Sequence, residues 1–168
     1  GSPKEENFAE ISLLLGSCYN YKRKMNKYSD FEKNKWSVLA KTNYDNAIFD
    51  GKLEVIYRLV EILMEEKDYE NCELYCRYGI EKEYIKSYLL MGLLHRNIND
   101  YTKMKHYFEL GIEKGDLECA CAMGDFYDKN NDNEKMVFYY DLAKDDNLFA
   151  CVKLGYRFGI NNDTKKVS

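Results

Sequence analysis

Cys72 and Cys76 stand four residues apart in CELYC, Cys119 and Cys121 two apart in ECACAM, and His95 and His106 are the only histidines in the chain. Thiolates and imidazoles in such numbers are the donor set of a zinc site. A thiol beside an imidazole is also the makings of a nucleophilic pair. The spacing argues against both. Structural zinc draws its ligands from tight loops, whereas these cysteines lie inside apolar helical patterns. On a helix Cys119 and Cys121 point about 200° apart. They read better as small apolar fillers of a reduced core. No glycine-rich phosphate loop, His-Glu-x-x-His or Gly-x-Ser-x-Gly occurs. No metal, no cofactor and no enzymatic activity are expected.

A second cluster lies in YKRKMNKY, residues 21–28, where Lys22, Arg23, Lys24 and Lys27 are flanked by Tyr21 and Tyr28. Cations interleaved with aromatic rings suit single-stranded nucleic acid or another anionic partner. This basic loop carries the alternative reading of an RNA-associated adaptor, against the blander one of a solvated insertion between two helices. Trp36, just beyond it, reads as core.

The chain around these residues has 168 positions, 45% hydrophobic and 32% charged, with a net charge of −4. That balance gives no global attraction for phosphate backbones or anionic membranes, so nucleic acid is the less favoured partner. The longest apolar runs, ISLLLG and YLLMGLL, are too short to span a bilayer, and no membrane association is expected. The six cysteines sit within helical patterns rather than between loops, which points to the cytoplasm or another reducing intracellular compartment. The single proline, Pro3, falls in GSP, read as a vector-derived remnant covering residues 1–3. With no proline elsewhere and abundant Leu, Lys and Glu, helices can run uninterrupted.

A fixed period organises those helices. Asp68, Asp100 and Asp132 are each 32 apart, as are Leu53, Ile85 and Leu117, then Val60, Gly92 and Gly124, then Cys76, Phe108 and Tyr140, and then Gly79, Gly111 and Ala143. Each unit reads as helix A, an Asn/Asp-rich turn, and helix B. The turn aspartates are placed to accept from the free N–H groups that open helix B. Gly92 and Gly124 would let helix A approach its partner closely, and Phe108 and Tyr140 would fill the space between helices.

The units fall at about 7–43, 52–81, 84–114 and 116–145, with a terminal helix at 147–160, all within one repeat domain spanning 4–168. The first unit is longer, Asp30 standing 38 before Asp68. Its extra residues are assigned to the loop YKRKMNKYS and to the connector TNYDNAIFDG, surface segments where insertion costs little. The terminal helix LFACVKLGYRFG would cover the last open face.

Helix pairs carrying Gly92, His95, Phe108 and Gly111, then Gly124, Tyr127, Tyr140 and Ala143, resemble the tetratricopeptide (TPR) repeat. MKHYFELGIEKGD followed by AMGDFY is more similar still to its Sel1-like variant, in the Asn-, Lys- and Tyr-rich dialect of Sel1-like arrays from large DNA viruses. Against the family pattern, the period is short, Val60 replaces a glycine, and no proline closes a repeat. The resemblance implies an all-α, right-handed α-solenoid of antiparallel helix pairs, whose A helices line a concave groove that binds peptides or partner proteins.

That geometry would turn one face of each A helix inward, in columns three or four residues apart. The groove residues would be Leu13 and Ser17 in the first unit; Glu54, Tyr57, Glu61 and Met64 in the second; and Lys86, Leu89, Leu93 and Arg96 in the third. Cys121, Asp125 and Asp128 follow in the fourth, with Val152 and Tyr156 on the terminal helix. Carboxylates outnumber cations on this list, which suits a basic, partly apolar peptide. Lys and Asn are missing from the paired positions that would grip an acidic carboxyl-terminal tail. Leu13, Leu89 and Val152 read equally well as core. The expected role is a non-catalytic scaffold that binds a protein partner, with self-association through an exposed terminal repeat as a further expectation.

Overall fold

In the computed structural model, which describes residues 3–145, the chain runs as α1 (Pro3–Arg23), α2 (Asp30–Phe49), α3 (Val55–Glu65), α4 (Tyr69–Glu81), α5 (Lys86–Asn97), α6 (Tyr101–Glu113), α7 (Leu117–Lys129) and α8 (Asn133–Ala143). No strand occurs among the described residues. Odd-numbered helices are the expected A helices and even-numbered ones the B helices. Backbone contacts divide the chain into two compact units, one ending at Leu90 and the other beginning at Met91, within α5.

The turns repeat more strictly than the side chains. Gly51, Lys67, Glu83, Asn99, Gly115 and Asn131 all have positive φ, between 58° and 95°, and stand 16 residues apart. Each closes the preceding helix with the same pair of bonds. The amide of Asp68 donates to Leu63 O at 2.8 Å and that of Lys67 to Met64 O at 3.1 Å. The equivalent long bonds run from Lys52, Tyr84, Asp100, Asp116 and Asp132 to Ala47, Gly79, His95, Gly111 and Tyr127. This is the Schellman closure, which satisfies carbonyls left open at a helix end. The 32-residue period of the sequence is thus two 16-residue modules, each one turn and one helix.

After four of the six left-handed positions the next residue caps the following helix. The carboxylates of Asp68, Asp100 and Asp132 accept from the amides of Asn71, Lys103 and Lys135, and Asp116 accepts from Glu118. Each such cap is worth about 1 kcal/mol. In the first hairpin the cap is Ser29. The Glu32 amide donates to Ser29 Oγ while the Ser29 amide donates to Glu32, a reciprocal capping box.

In the unit that ends at Leu90, α1 and α2 form a hairpin, α2 packs on α3 and α3 on α4. A Cβ on Gly16 would enter the ring of Tyr44. A Cβ on Gly79 would collide with Ser87 at the start of α5. Ile56, Leu59, Val60 and Ile62 of α3 are fully or almost fully buried with Cys72 and Cys76 of α4. In the unit that begins at Met91, a Cβ on Gly92 would overlap the Phe108 ring of α6, and one on Gly124 the Tyr140 ring of α8. Met104, Phe108, Met123 and Tyr140 form its buried centre.

These contacts relocate the insertion in the first unit. Gly16 meets Tyr44 across 28 residues, where Gly92 meets Phe108 and Gly124 meets Tyr140 across 16. The 12 extra residues therefore all lie between Gly16 and Tyr44. The segment TNYDNAIFDG is not a loose connector: α2 continues through it to Phe49, with Tyr44, Ala47 and Ile48 buried. Its apolar residues fall at three- and four-residue spacing, so burial extends the helix.

Candidate functional site

The α3 face is the part of the expected groove that the structure presents to solvent. Glu54, Tyr57, Glu61 and Met64 lie at spacings of three and four along one side of the helix. Glu54, Tyr57 and Glu61 are exposed and Met64 half-buried, while Ile56, Leu59, Val60 and Leu63 on the other side hold α3 in place. Glu65, one step round the helix, is neutralised by Arg23 at 2.5 Å and Lys24 at 3.5 Å. Among the described residues no ion pair engages Glu54 or Glu61. The stripe thus offers two carboxylates with an aromatic ring between them and a thioether at its end.

Elsewhere in the part of the chain that ends at Leu90, the expected groove residues do other work. Ser17 donates to Leu13 O at 2.9 Å and lies 3.4 Å from the Tyr44 hydroxyl, which donates to it. Leu13 and Lys86 are half-buried, and Leu89 is buried, a core residue rather than a groove residue.

In the part of the chain that begins at Met91, Arg96 and Asp125 come together at a cavity of about 370 Å³ walled by Tyr101, Phe126, Lys129 and Asn130. Asp125 accepts a hydrogen bond from the Tyr140 hydroxyl, so its carboxylate serves the α7–α8 contact as well as the cavity. Ser17 with Tyr44 and Asp125 with Tyr140 occupy the same register. Where the facing ring is Phe108 and has no hydroxyl, that register holds Leu93. Two of the expected binding residues therefore have a structural task, set by whether the opposite ring is a tyrosine. Cys121 is buried, correcting its assignment to the groove, because α7 packs on both α6 and α8. Leu93 and Asp128 are half-buried. Val152 and Tyr156, with the terminal helix expected at 147–160, lie outside the described residues.

The basic cluster is only partly a loop, since Lys22 and Arg23 belong to the last turn of α1, where the helix dipole favours cations. Arg23 donates to Asn20 at 2.7 Å besides pairing with Glu65. Lys22 Nζ stands 4.6 Å from the centre of the Trp36 ring, and Lys27 Nζ 5.1 Å from that of Tyr28. Trp36 is half-buried, stacked on Tyr19 at 5.7 Å with Tyr28 against its edge. The four cations of the cluster are engaged within the chain, Arg23 and Lys24 with Glu65 and Lys22 and Lys27 over the Trp36 and Tyr28 rings, while Tyr21 stays exposed.

Cys72, Cys76 and Cys121 are held as neutral thiols. Burial, helped by the charge of Asp68, pushes Cys72 up to about 12. Burial, with Asp125 and Glu118 nearby, pushes Cys121 up to about 11. Burial also raises Cys76. Thiols shifted this way are poor nucleophiles and poor ligands at neutral pH. His95 is buried, stacked on Tyr107 at 5.4 Å, and its Nδ1 lies 3.8 Å from Asp100. Among the described residues no three His, Cys, Asp or Glu side chains converge as a metal site.

Sequence reasoning missed a second cavity, about 350 Å³, between α2 and α4, lined by Ile48, Phe49, Leu74, Tyr75 and Tyr78. Its walls come from B helices, and Phe49 had been assigned to a connector. The signal available was the exposed Leu74 on an otherwise polar helix face.

Residues 85–113, essentially α5 and α6, match the model of the tetratricopeptide repeat. No curated protein and no solved structure matches the chain. The matched repeat, the uniform helix pairs and the glycine-to-ring contacts give a TPR-like all-α repeat fold. Such repeats generally mediate protein–protein interaction.

Proposed function

We propose that the protein is a non-catalytic interaction scaffold that takes a basic, partly apolar segment of a protein partner along the exposed face of α3. The observation that carries this reading is the stripe of Glu54, Tyr57, Glu61 and Met64: Glu54, near Lys52, and Glu61 are exposed and make no close ion pair, while the neighbouring Glu65 makes two. A tyrosine between exposed carboxylates offers an amphipathic anchor beside sites for Lys or Arg. We read the repeat as the Sel1-like variant, on MKHYFELGIEKGD, and the setting as a reducing intracellular compartment, on the buried free thiols Cys72, Cys76, Cys119 and Cys121. The RNA reading draws no comparable support, because the cations it requires are engaged within the chain.

Selection from a random peptide display library tests the assignment without a known partner. The wild-type chain should enrich peptides carrying Lys or Arg with an aliphatic or aromatic residue. Glu54→Lys/Glu61→Lys should bind the selected peptides at least about tenfold more weakly, about 1.4 kcal/mol, with helicity unchanged. Enrichment of acidic peptides, or equal affinity for the variant, would overturn it. Asp125 is left intact in this experiment, because its loss would also cost the Tyr140 hydrogen bond.

A further inference from the structure

The outer face of α1 carries Phe8, Ile11, Leu14, Leu15, Cys18 and Tyr21, all exposed, with Ile11 at 53% and Leu14 at 59%. A bare apolar stripe of this kind contrasts with what its repeat equivalents do. Aligned on Gly16, Ile11 corresponds to Val55, Ser87 and Cys119, and Leu15 to Leu59, Met91 and Met123; all six are buried. On later A helices these columns are packed against neighbouring helices. On α1 no helix among the described residues covers them. The side chains nonetheless have the apolar character of the buried columns, so the face is made to receive a helix.

The order of residues along the stripe says which helix. Read from either end it has the same types: aromatic, small or aliphatic, a leucine pair at the middle, small or aliphatic, aromatic. Laid antiparallel on a copy of itself about the midpoint of Leu14 and Leu15, α1 opposes Phe8 to Tyr21, Ile11 to Cys18 and Leu14 to Leu15. The residue numbers of every such pair have the same sum, which is the condition for an isologous two-fold contact. The flanking positions are compatible, since Asn7 opposes Lys22 and Glu10 opposes Tyr19, and no like charges meet. Glu10 is already paired to Lys52 at 2.6 Å.

We propose that two copies of this chain associate through an antiparallel α1–α1 contact in that register. The stripe exposes on the order of 600 Å² per copy, so the dimer buries roughly 1,200 Å², at the lower edge of a stable interface. A reversible, concentration-dependent dimer follows. The contact uses none of the α3 residues assigned to the partner, so the two readings stand or fall separately.

Sedimentation equilibrium of the whole chain over a concentration series should show the mean mass rising from 19.9 kDa toward twice that value. Leu14→Glu/Leu15→Glu would bring four carboxylates together at the two-fold axis. It should stay at the monomer mass throughout, with the far-ultraviolet dichroism of the wild type. The register has its own test in a Cys151→Ser background under mild oxidation. Ile11→Cys places its new thiol opposite the partner's Cys18 and should cross-link, whereas the same background without that change should not. A wild-type mass that stays at the monomer value overturns the proposal, and would leave the stripe to a helix of another protein. A dimer that survives Leu14→Glu/Leu15→Glu, or cross-linking through Cys18 alone, also overturns it.

Discussion

Glu66 gathers a hydroxyl from Ser37 and the Lys41 ammonium, the latter at 2.5 Å, and thereby ties α2 to the end of α3. Burial alone pushes its carboxyl up, but the bonds from Lys41 and Ser37, with the charges of Lys41 and Arg23, outweigh that and hold it below the ordinary 4.5. A carboxyl depressed on folding stabilises the protein above its unfolded pKa, and that contribution disappears as pH falls through the folded value. Glu66→Gln should lower stability near neutral pH by about 1 kcal/mol, the side chain being partly exposed. The gap from wild type should close well below pH 4.5, as read by urea unfolding at both pH values. At this scale the sequence was legible where a residue acts on its own backbone: Asp68, Asp100 and Asp132 cap as their spacing implies. It was opaque where the role depends on a distant ring. Nothing local to Asp125 says that it serves Tyr140, or that Leu93 is apolar because Phe108 has no hydroxyl.

Between helices, the same packing problem is solved in two ways. Gly92 and Gly124 make room for Phe108 and Tyr140, whereas in the second repeat the same two registers hold Val60 and the smaller Cys76, both fully buried. The pairs conserve bulk, which explains how Val60 stands where the repeat pattern expects glycine. Gly92→Val alone should cost about 3 kcal/mol by driving a side chain into Phe108. Adding Phe108→Cys should recover much of that loss, as thermal and denaturant unfolding of the three variants would show. The turns make a complementary prediction. Glu83 occupies the left-handed position that Gly51 and Gly115 fill without strain. Glu83→Gly should stabilise the chain by about 0.5–1 kcal/mol, measured as a raised urea midpoint at unchanged slope. The 16-residue module behind this was hidden in the sequence, because A and B helices share backbone closures but not side-chain types. The first-unit insertion was misplaced for a related reason: Tyr44 aligns with Phe108 only once its contact with Gly16 is known.

Taken whole, the all-helical class and the 32-residue period could be read directly, since both depend on local propensity and spacing. Of the expected groove columns, those on α3 lie on a helix whose exposed and buried sides are cleanly separated. On α5 and α7 the same columns meet neighbouring helices, and a single helix cannot reveal which of its sides will be covered. The regular turns have one more consequence, for the route to the folded state. From α1 to α7 each helix end closes through bonds spanning five residues or fewer, and each glycine-to-ring contact joins a helix to the next one along the chain. Little loop entropy is spent before such contacts form. Folding can begin at any hairpin and spread by accretion, so the search is short and no late, long-range strand pairing delays it.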